Sequence, residues 1–203
     1  MEHLEIEVKF YLADIESLRN KILELGAKSK GRLFETNIRY EDKNNSLIKK
    51  KSVLRLRQDE KTTFTFKSRP PVKSKDYKIV NELEVEVSDF KTMDQILQSL
   101  GFHPEQKYEK WRETIVLDQT LFCLDTMPYG DFLEIEGREK DIRYYASKLG
   151  LRWQKRILFN YLEIFEIIRN NINLEFNDIT FDNFETIDAD ASMFLKMLEA
   201  GGH

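Results

Sequence analysis

Apolar and polar residues alternate with a period of two along much of this chain, a pattern typical of β-strands that bury one face. Only 8 glycines and 4 prolines interrupt the chain, so the breaks between these runs are few and short. The alternation predicts strands over residues 4–11, 33–42, 53–58, 62–67, 81–87, 110–117, 121–125 and 131–136. The pattern is that of a β-rich protein.

Helical spacing of apolar residues occurs in four further segments. Asp14 and Asp89 are candidate N-caps for the first two helices, which Gly26 and Gly101 would end. The other two helices are predicted around residues 141–149 and 155–169. Three strands carry Glu-x-Glu and precede a helix that ends in Leu-Gly, which indicates a repeated strand–helix unit.

Two segments stand apart from these elements. Residues 68–78 contain Pro70-Pro71 and several basic residues, and they predict a mobile loop that closes over bound polyanion. The stretch after Asn170 is acidic and rich in asparagine, and its pattern predicts no role. We therefore expect a domain over residues 1–169 and an acidic C-terminal extension over residues 170–203.

Composition and charge narrow the class of protein. The 203 residues include 32 Lys and Arg against 36 Asp and Glu, a formal charge of −4 that disfavours an extended nucleic-acid surface. The single cysteine, Cys123, excludes an internal disulfide and any multi-cysteine zinc site. The sequence contains no apolar run of membrane-spanning length, and its first residues are too charged for a signal peptide. We expect a cytoplasmic protein.

Charged residues are sorted by strand and share faces, because side chains two apart in a strand point the same way. The acidic and basic pairs or triplets on such faces are Glu5-x-Glu7-x-Lys9, Arg55-x-Arg57, Glu82-x-Glu84-x-Glu86, Lys110-x-Arg112 and Glu134-x-Glu136. One interpretation is an ordinary antiparallel sheet with its polar face in water. However, like charges crowd on each strand, and the predicted helices could cover the opposite apolar faces.

Charged faces enclosed in this way need a ligand. Paired carboxylates form an oxygen-rich site suited to a hard divalent ion such as Mg²⁺ or Mn²⁺. Arginine and lysine side chains nearby match a run of phosphates. The pattern therefore favours a metal–polyphosphate site inside a closed β-barrel.

These residues resemble the signature of the CYTH family, the triphosphate tunnel metalloenzymes. The motifs are Glu5-x-Glu7-x-Lys9, Leu54-Arg55-Leu56-Arg57, Thr65-Phe66-Lys67, Glu82-x-Glu84-x-Glu86, Lys110-x-Arg112, Leu124-Asp125 and Phe132-Leu133-Glu134-Ile135-Glu136-Gly137, and their order and spacing match over roughly residues 3–165. The resemblance implies an α+β fold: an eight-stranded antiparallel closed barrel with a charged interior and helices packed outside.

The resemblance also implies roles for individual residues. Metal ligands for Mg²⁺ or Mn²⁺ would be Glu5, Glu7, Glu134 and Glu136. The triphosphate would be bound by Lys9, Arg55, Arg57, Lys67, Lys110 and Arg112. Lys9, Glu82 and Glu84 are the catalytic candidates; the two glutamates, and Glu86 beside them, would hold a second metal, position the basic residues or act on a water.

Three functions are compatible with these motifs. The first is metal-dependent hydrolysis of a triphosphate: inorganic tripolyphosphate, thiamine triphosphate or a nucleoside triphosphate. The second is a class IV adenylyl cyclase, which converts ATP to cyclic AMP and pyrophosphate. The third is a non-catalytic polyphosphate or nucleotide sensor, which the unbroken Glu5-x-Glu7-x-Lys9 motif disfavours. The expected partner is a small-molecule triphosphate, without a membrane; the sequence leaves the oligomeric state open.

Overall fold

A computed structural model describes residues 4–72, 74–187 and 189–200. Eight strands form one closed barrel in which every neighbouring pair is antiparallel, in the order β1-β5-β4-β3-β2-β6-β7-β8. The strands are β1 Leu4–Leu12, β2 Lys28–Asp42, β3 Val53–Gln58, β4 Thr62–Ser68, β5 Lys78–Val87, β6 Phe102–Leu117, β7 Thr120–Met127 and β8 Gly130–Glu136. The predicted α+β fold with a closed antiparallel barrel is confirmed.

Helices lie on the outside of this barrel. They are α1 Ile15–Glu24, α2 Ser46–Lys49, α3 Phe90–Ser99, α4 Glu139–Lys148, α5 Tyr161–Ile172, α6 Phe181–Phe184 and α7 Leu195–Leu198, with 3₁₀ turns at Trp153–Lys155 and Ala191–Phe194. Among the described residues, no helix has the length and hydropathy needed to cross a membrane.

Three strand–helix units share one plan, as the Glu-x-Glu and Leu-Gly pattern predicts. In β1–α1, β5–α3 and β8–α4 the helix has ten residues, is followed by a leucine C-cap, and ends at a glycine with positive φ. Asp14 and Asp89 cap α1 and α3, accepting from backbone N–H groups three residues ahead. Local signals in the sequence therefore set where these helices begin and end.

Alternation along the strands separates charge from apolar surface. Val8 and Phe10 of β1 and Leu133 and Ile135 of β8 point outward and pack under α1 and α4. On the opposite side, α3 contributes Leu97 to a cluster with outward residues of β2 and β3. The helices thus cover outward apolar residues of β1, β8, β2 and β3, whereas Leu83 and Val85 of β5 stay exposed. The charged faces point into the barrel.

The helix predicted over residues 155–169 begins later than the apolar spacing indicates. Ile157 pairs with Lys9 of β1 through two main-chain hydrogen bonds, 2.7 and 3.2 Å long, so this part of the chain is extended. α5 starts only at Tyr161, where Asn160 and Glu163 form a reciprocal capping box. The prediction was wrong for residues 155–160, because pairing with β1 and the cap override the apolar pattern.

The C-terminal segment packs against one end of the barrel. Ile179 forms a parallel bridge to Tyr108 of β6, and the backbone N–H of Ala191 donates to the carbonyl of Tyr129. Apolar residues of this segment join α5 and barrel residues in one buried cluster, which includes Phe132, Phe165, Phe184, Phe194 and Leu198. α5 and the segment after it therefore cover the barrel end at which β1 finishes.

Candidate active site

The barrel encloses a charged cavity of about 360 Å³. All the predicted metal, substrate and catalytic residues except Lys9 line it: Glu5, Glu7, Arg55, Arg57, Lys67, Glu82, Glu84, Lys110, Arg112, Glu134 and Glu136. Glu86 does not; it lies at the end of β5 and pairs with exposed Lys61 at 2.7 Å. Strand alternation thus predicts which residues face the interior, but it does not predict which of them contact one another.

Carboxylates from β1 and β8 form the acidic side of the cavity. Oxygen atoms of Glu5, Glu7 and Glu136 all lie within 4.8 Å of one another. Burial, followed by the nearby charges of Glu5 and Glu7, raises the pKa of Glu136 to about 8. Burial also raises the pKa of Glu7, and Glu134 and Glu5 add to that effect. Such a cluster holds its full negative charge only beside a cation.

Lys78 supplies one such cation. Its Nζ lies 2.7 Å from Glu7 Oε1, and the carboxylates of Glu7, Glu5 and Glu134 outweigh the effect of burial and raise the pKa of Lys78. The sequence assigned Lys78 to a loop, but it is the first residue of β5. The sequence did contain a signal for this position: Lys78 is an even number of residues from Glu82 and Glu84, so on one strand the three side chains share a face.

Basic residues from β3 and β6 form the other side, and Lys67 of β4 lies between the two sides. Arg55 lies 3.6 Å from Glu84 and donates to the Tyr108 hydroxyl at 3.3 Å, while Arg57 lies 3.7 Å from Glu84. Lys67 pairs with Glu5 at 2.6 Å and with Glu82 at 3.2 Å. Glu82 and Glu84 thus contact basic residues of the site, and their role among the three alternatives stays a prediction.

Asp125 organises the basic pair of β6. This carboxylate is completely buried and accepts a bidentate pair of bonds from Arg112, one of them 2.6 Å long, and a 3.1 Å bond from Lys110. The hydroxyl of Tyr161 in α5 donates to it at 2.7 Å. Asp125 belonged to a motif of the sequence but had no predicted role.

Lys9 lies next to the cavity, on the side covered by Tyr161 of α5, and only 1% of its surface is exposed. Its ammonium group donates to Glu134 and lies 4.0 Å from the ring centre of Tyr161. Burial opposes ionisation of Glu134, but Lys9, Arg112 and Lys110 outweigh it and hold the pKa of this carboxyl well below its usual range. Tyr161, which the sequence indicated only as an apolar helix residue, thus forms part of the floor.

A second, larger cavity of about 1000 Å³ adjoins the first. The two share Val53, Lys78, Asn160 and Leu162 as lining residues, so the tunnel continues past α5. Residues 69, 70, 72 and 74 of the predicted loop line this second cavity.

Residues 75 and 76 of the predicted loop are held by hydrogen bonds from Arg156 and Trp153. Arg156 donates to the carbonyls of Lys75 and Asp76, and Trp153 donates to the Asp76 carboxylate at 3.3 Å. Lys73, another basic residue of the loop, lies outside the described residues. Closure of this segment over a ligand stays a prediction.

The CYTH domain model matches residues 3–151, well over half of the chain. The protein named "Putative adenylate cyclase MJ0240" of Methanocaldococcus jannaschii is 28% identical over 140 residues, which cover 68% of this chain and 79% of the relative. PH1012 of Pyrococcus horikoshii OT3 is 29% identical with a TM-score of 0.67, covering 78% of this chain and 98% of its own. HpAC1 of Hippeastrum, described as having a dominant triphosphatase activity, is 16% identical with a TM-score of 0.60 over 81% and 95% of the two chains, and shares the fold. The chain therefore belongs to the CYTH family.

Proposed function

We propose that this protein hydrolyses a triphosphate inside the tunnel, with Mg²⁺ or Mn²⁺, and releases one phosphate. The observation that carries the proposal is the separation of charge within the closed barrel. Glu5, Glu7 and Glu136 cluster on one side, and basic side chains of β3 and β6 lie on the other. A linear polyanion bound together with a divalent cation would complement both sides at once.

The donor set of the acidic side fits a hard divalent ion. Glu5, Glu7 and Glu136 offer only carboxylate oxygens, and these oxygens already lie within 4.8 Å of one another. When bound, such an ion would neutralise charge on the phosphoryl oxygens. Glu134 shares their strand face but is engaged by Lys9 and Arg112, so its role as a fourth ligand stays a prediction.

The basic residues would bind the phosphate chain and stabilise charge that develops on the transferred phosphoryl group. Arg55, Arg57 and Lys67 would contact it from β3 and β4, positioned by Glu82 and Glu84. Lys110 and Arg112 would contact it from β6, held by Asp125. Lys9, held by Glu134 next to the cavity, would add positive charge there. The attacking water would be oriented by a carboxylate or by Lys9; of these candidates the carboxylates line the cavity and Lys9 does not.

A substrate screen tests the proposal. Tripolyphosphate, thiamine triphosphate and ATP are each incubated with Mg²⁺ or Mn²⁺, and the products are resolved as phosphate, pyrophosphate or cyclic AMP. We expect metal-dependent phosphate release that Arg57→Ala reduces at least ~100-fold, since a bidentate contact to charged phosphate is lost. Arg138→Ala is the matched control, because Arg138 is exposed and its ion pair among the described residues is with Asp141 on α4. Absence of phosphate release from all three substrates would refute the proposal.

The second cavity favours one other candidate, a class IV adenylyl cyclase. Its volume of about 1000 Å³ and its continuity with the tunnel at Lys78 and Leu162 leave room for an organic group attached to the triphosphate. The relative from M. jannaschii carries a cyclase name. Formation of cyclic AMP and pyrophosphate from ATP, without orthophosphate, would support this alternative in the same screen.

A further inference from the structure

Glu35 is a buried carboxylate that the family motifs do not include. It lies on β2, which is four strands away from β1 in either direction around the ring and so faces the metal-binding side from across the barrel. Only 3% of its surface is exposed, and it lines the tunnel cavity. Glu35 is thus an acid within the basic side of the site.

Three phosphate-binding candidates surround this carboxylate without contacting it closely. Glu35 Oε2 lies 3.6 Å from Lys110 Nζ, and Oε1 lies 3.9 Å from Arg57 Nη1 and 4.0 Å from Arg112 Nε. Oε2 is buried and has no hydrogen-bond partner within the described residues. These long ion pairs contrast with the tight bonds of Lys110 and Arg112 to Asp125, the group that holds those two side chains in place.

The Glu35 carboxyl is ionised at neutral pH. Burial opposes its ionisation, but Lys110, Arg112, Arg57 and Arg55 outweigh burial and lower the pKa of this carboxyl to about 2. Asp125 already positions Lys110 and Arg112, so a second carboxylate at long range is not needed to hold them. Its effect on them is electrostatic, and a bound phosphate would meet the same three cations.

We propose that Glu35 is an internal counter-anion that competes with phosphates for Arg57, Lys110 and Arg112, and thereby weakens the hold of the tunnel on its product. This role rests on the proposed triphosphatase function. Glu35 balances the basic cluster when the tunnel is empty and opposes any anion that replaces water there. It is a positioning and tuning residue that acts through three cations, without contact with the reacting atoms.

Glu35→Gln tests the role, since it removes the charge and keeps the shape. We expect pyrophosphate and inorganic phosphate to bind ~10-fold more tightly in calorimetric titrations, as one opposing charge is lost. With tripolyphosphate as substrate, KM should fall and kcat should fall with it, because product release slows. A merely structural role predicts the reverse for binding: weaker affinity and a higher KM.

Two further variants keep the test decisive. Glu113→Gln removes a buried carboxylate of the same strand pair that faces away from the tunnel and pairs with Arg19, so phosphate affinity should stay unchanged. If Glu35→Gln does not fold, Glu35→Asp moves the carboxylate back by one methylene, and it should tighten pyrophosphate binding ~3-fold. Unchanged or weaker binding in the folded Glu35 variant overturns the proposal. Because these titrations need no turnover, they decide the role of Glu35 even if no triphosphate is hydrolysed.

Discussion

Substitution of Asp125 should cost this protein a large part of its stability. Asp125 has no exposed surface and carries the only negative charge in close contact with both Lys110 and Arg112 among the described residues. In Asp125→Asn the amide keeps the shape but loses the charge, and its NH₂ group faces donors. The two cations would remain buried with a weaker partner.

The magnitude follows from the burial of the network. Removing one partner of a buried, hydrogen-bonded ion pair costs about 3–5 kcal/mol of unfolding free energy. For a chain of this size about 1 kcal/mol shifts Tm by 2–4 °C, so Tm should fall by roughly 6–20 °C. Urea denaturation followed by circular dichroism measures the free energy directly, and a thermal scan measures Tm.

Two controls separate charge from packing. Tyr161→Phe removes one hydroxyl donor to Asp125 and should cost only about 1 kcal/mol. Tripolyphosphate should recover much of the lost stability of Asp125→Asn, because its charges replace the missing carboxylate beside Arg112. An Asp125→Asn protein within 1 kcal/mol of the wild type would refute the reasoning about this network.

Three other outcomes are expected. Glu7→Gln should abolish metal-dependent turnover yet raise the metal-free Tm, because burial and neighbouring carboxylates raise the pKa of Glu7; full activity of this variant would contradict its metal role. Since the pKa of Glu136 is raised from 4.5 to about 8, its contribution to metal-free stability is present below pH 4.5 and lost as pH rises through 8. Glu136→Gln should flatten that decline in a Tm–pH series, and an unchanged slope counts against it. Cleavage by trypsin within residues 68–78 should slow when tripolyphosphate and Mg²⁺ are present, and equal rates would argue against closure of this segment.

Much of the fold could be predicted because its signals are local. Alternation set the strand faces, and the caps Asp14 and Asp89 set the helix starts. The charged faces were predicted to point into an enclosed space, and the closed barrel with helices outside has that arrangement. Period-two alternation and short capping motifs depend on neighbours within a few residues, which a sequence displays directly.

Where local signals compete, the sequence was insufficient. The apolar spacing over residues 155–169 predicts one helix, but main-chain pairing between Ile157 and Lys9 takes the first part of it. These two residues are far apart in the chain, and the free energy of their hydrogen bonds has no trace in the periodicity around either. Tertiary contact overrode the local preference there.

The sequence predicted most residues of the candidate site, and the tertiary structure added Lys78, Asp125 and Tyr161 and decided which residues contact one another. Parity placed Glu5, Glu7, Arg55 and Arg57 on inward faces, but it could not say which acid meets which base. Lys78 donates a hydrogen bond to Glu7, and Lys9 donates one to Glu134. Asp125 accepts hydrogen bonds from Arg112 and from Tyr161 of α5. Such pairings depend on the order of strands around the ring and on where α5 covers the barrel. These groups come within contact distance only when the barrel closes. In its interior the low dielectric constant strengthens the electrostatic interaction of each pair.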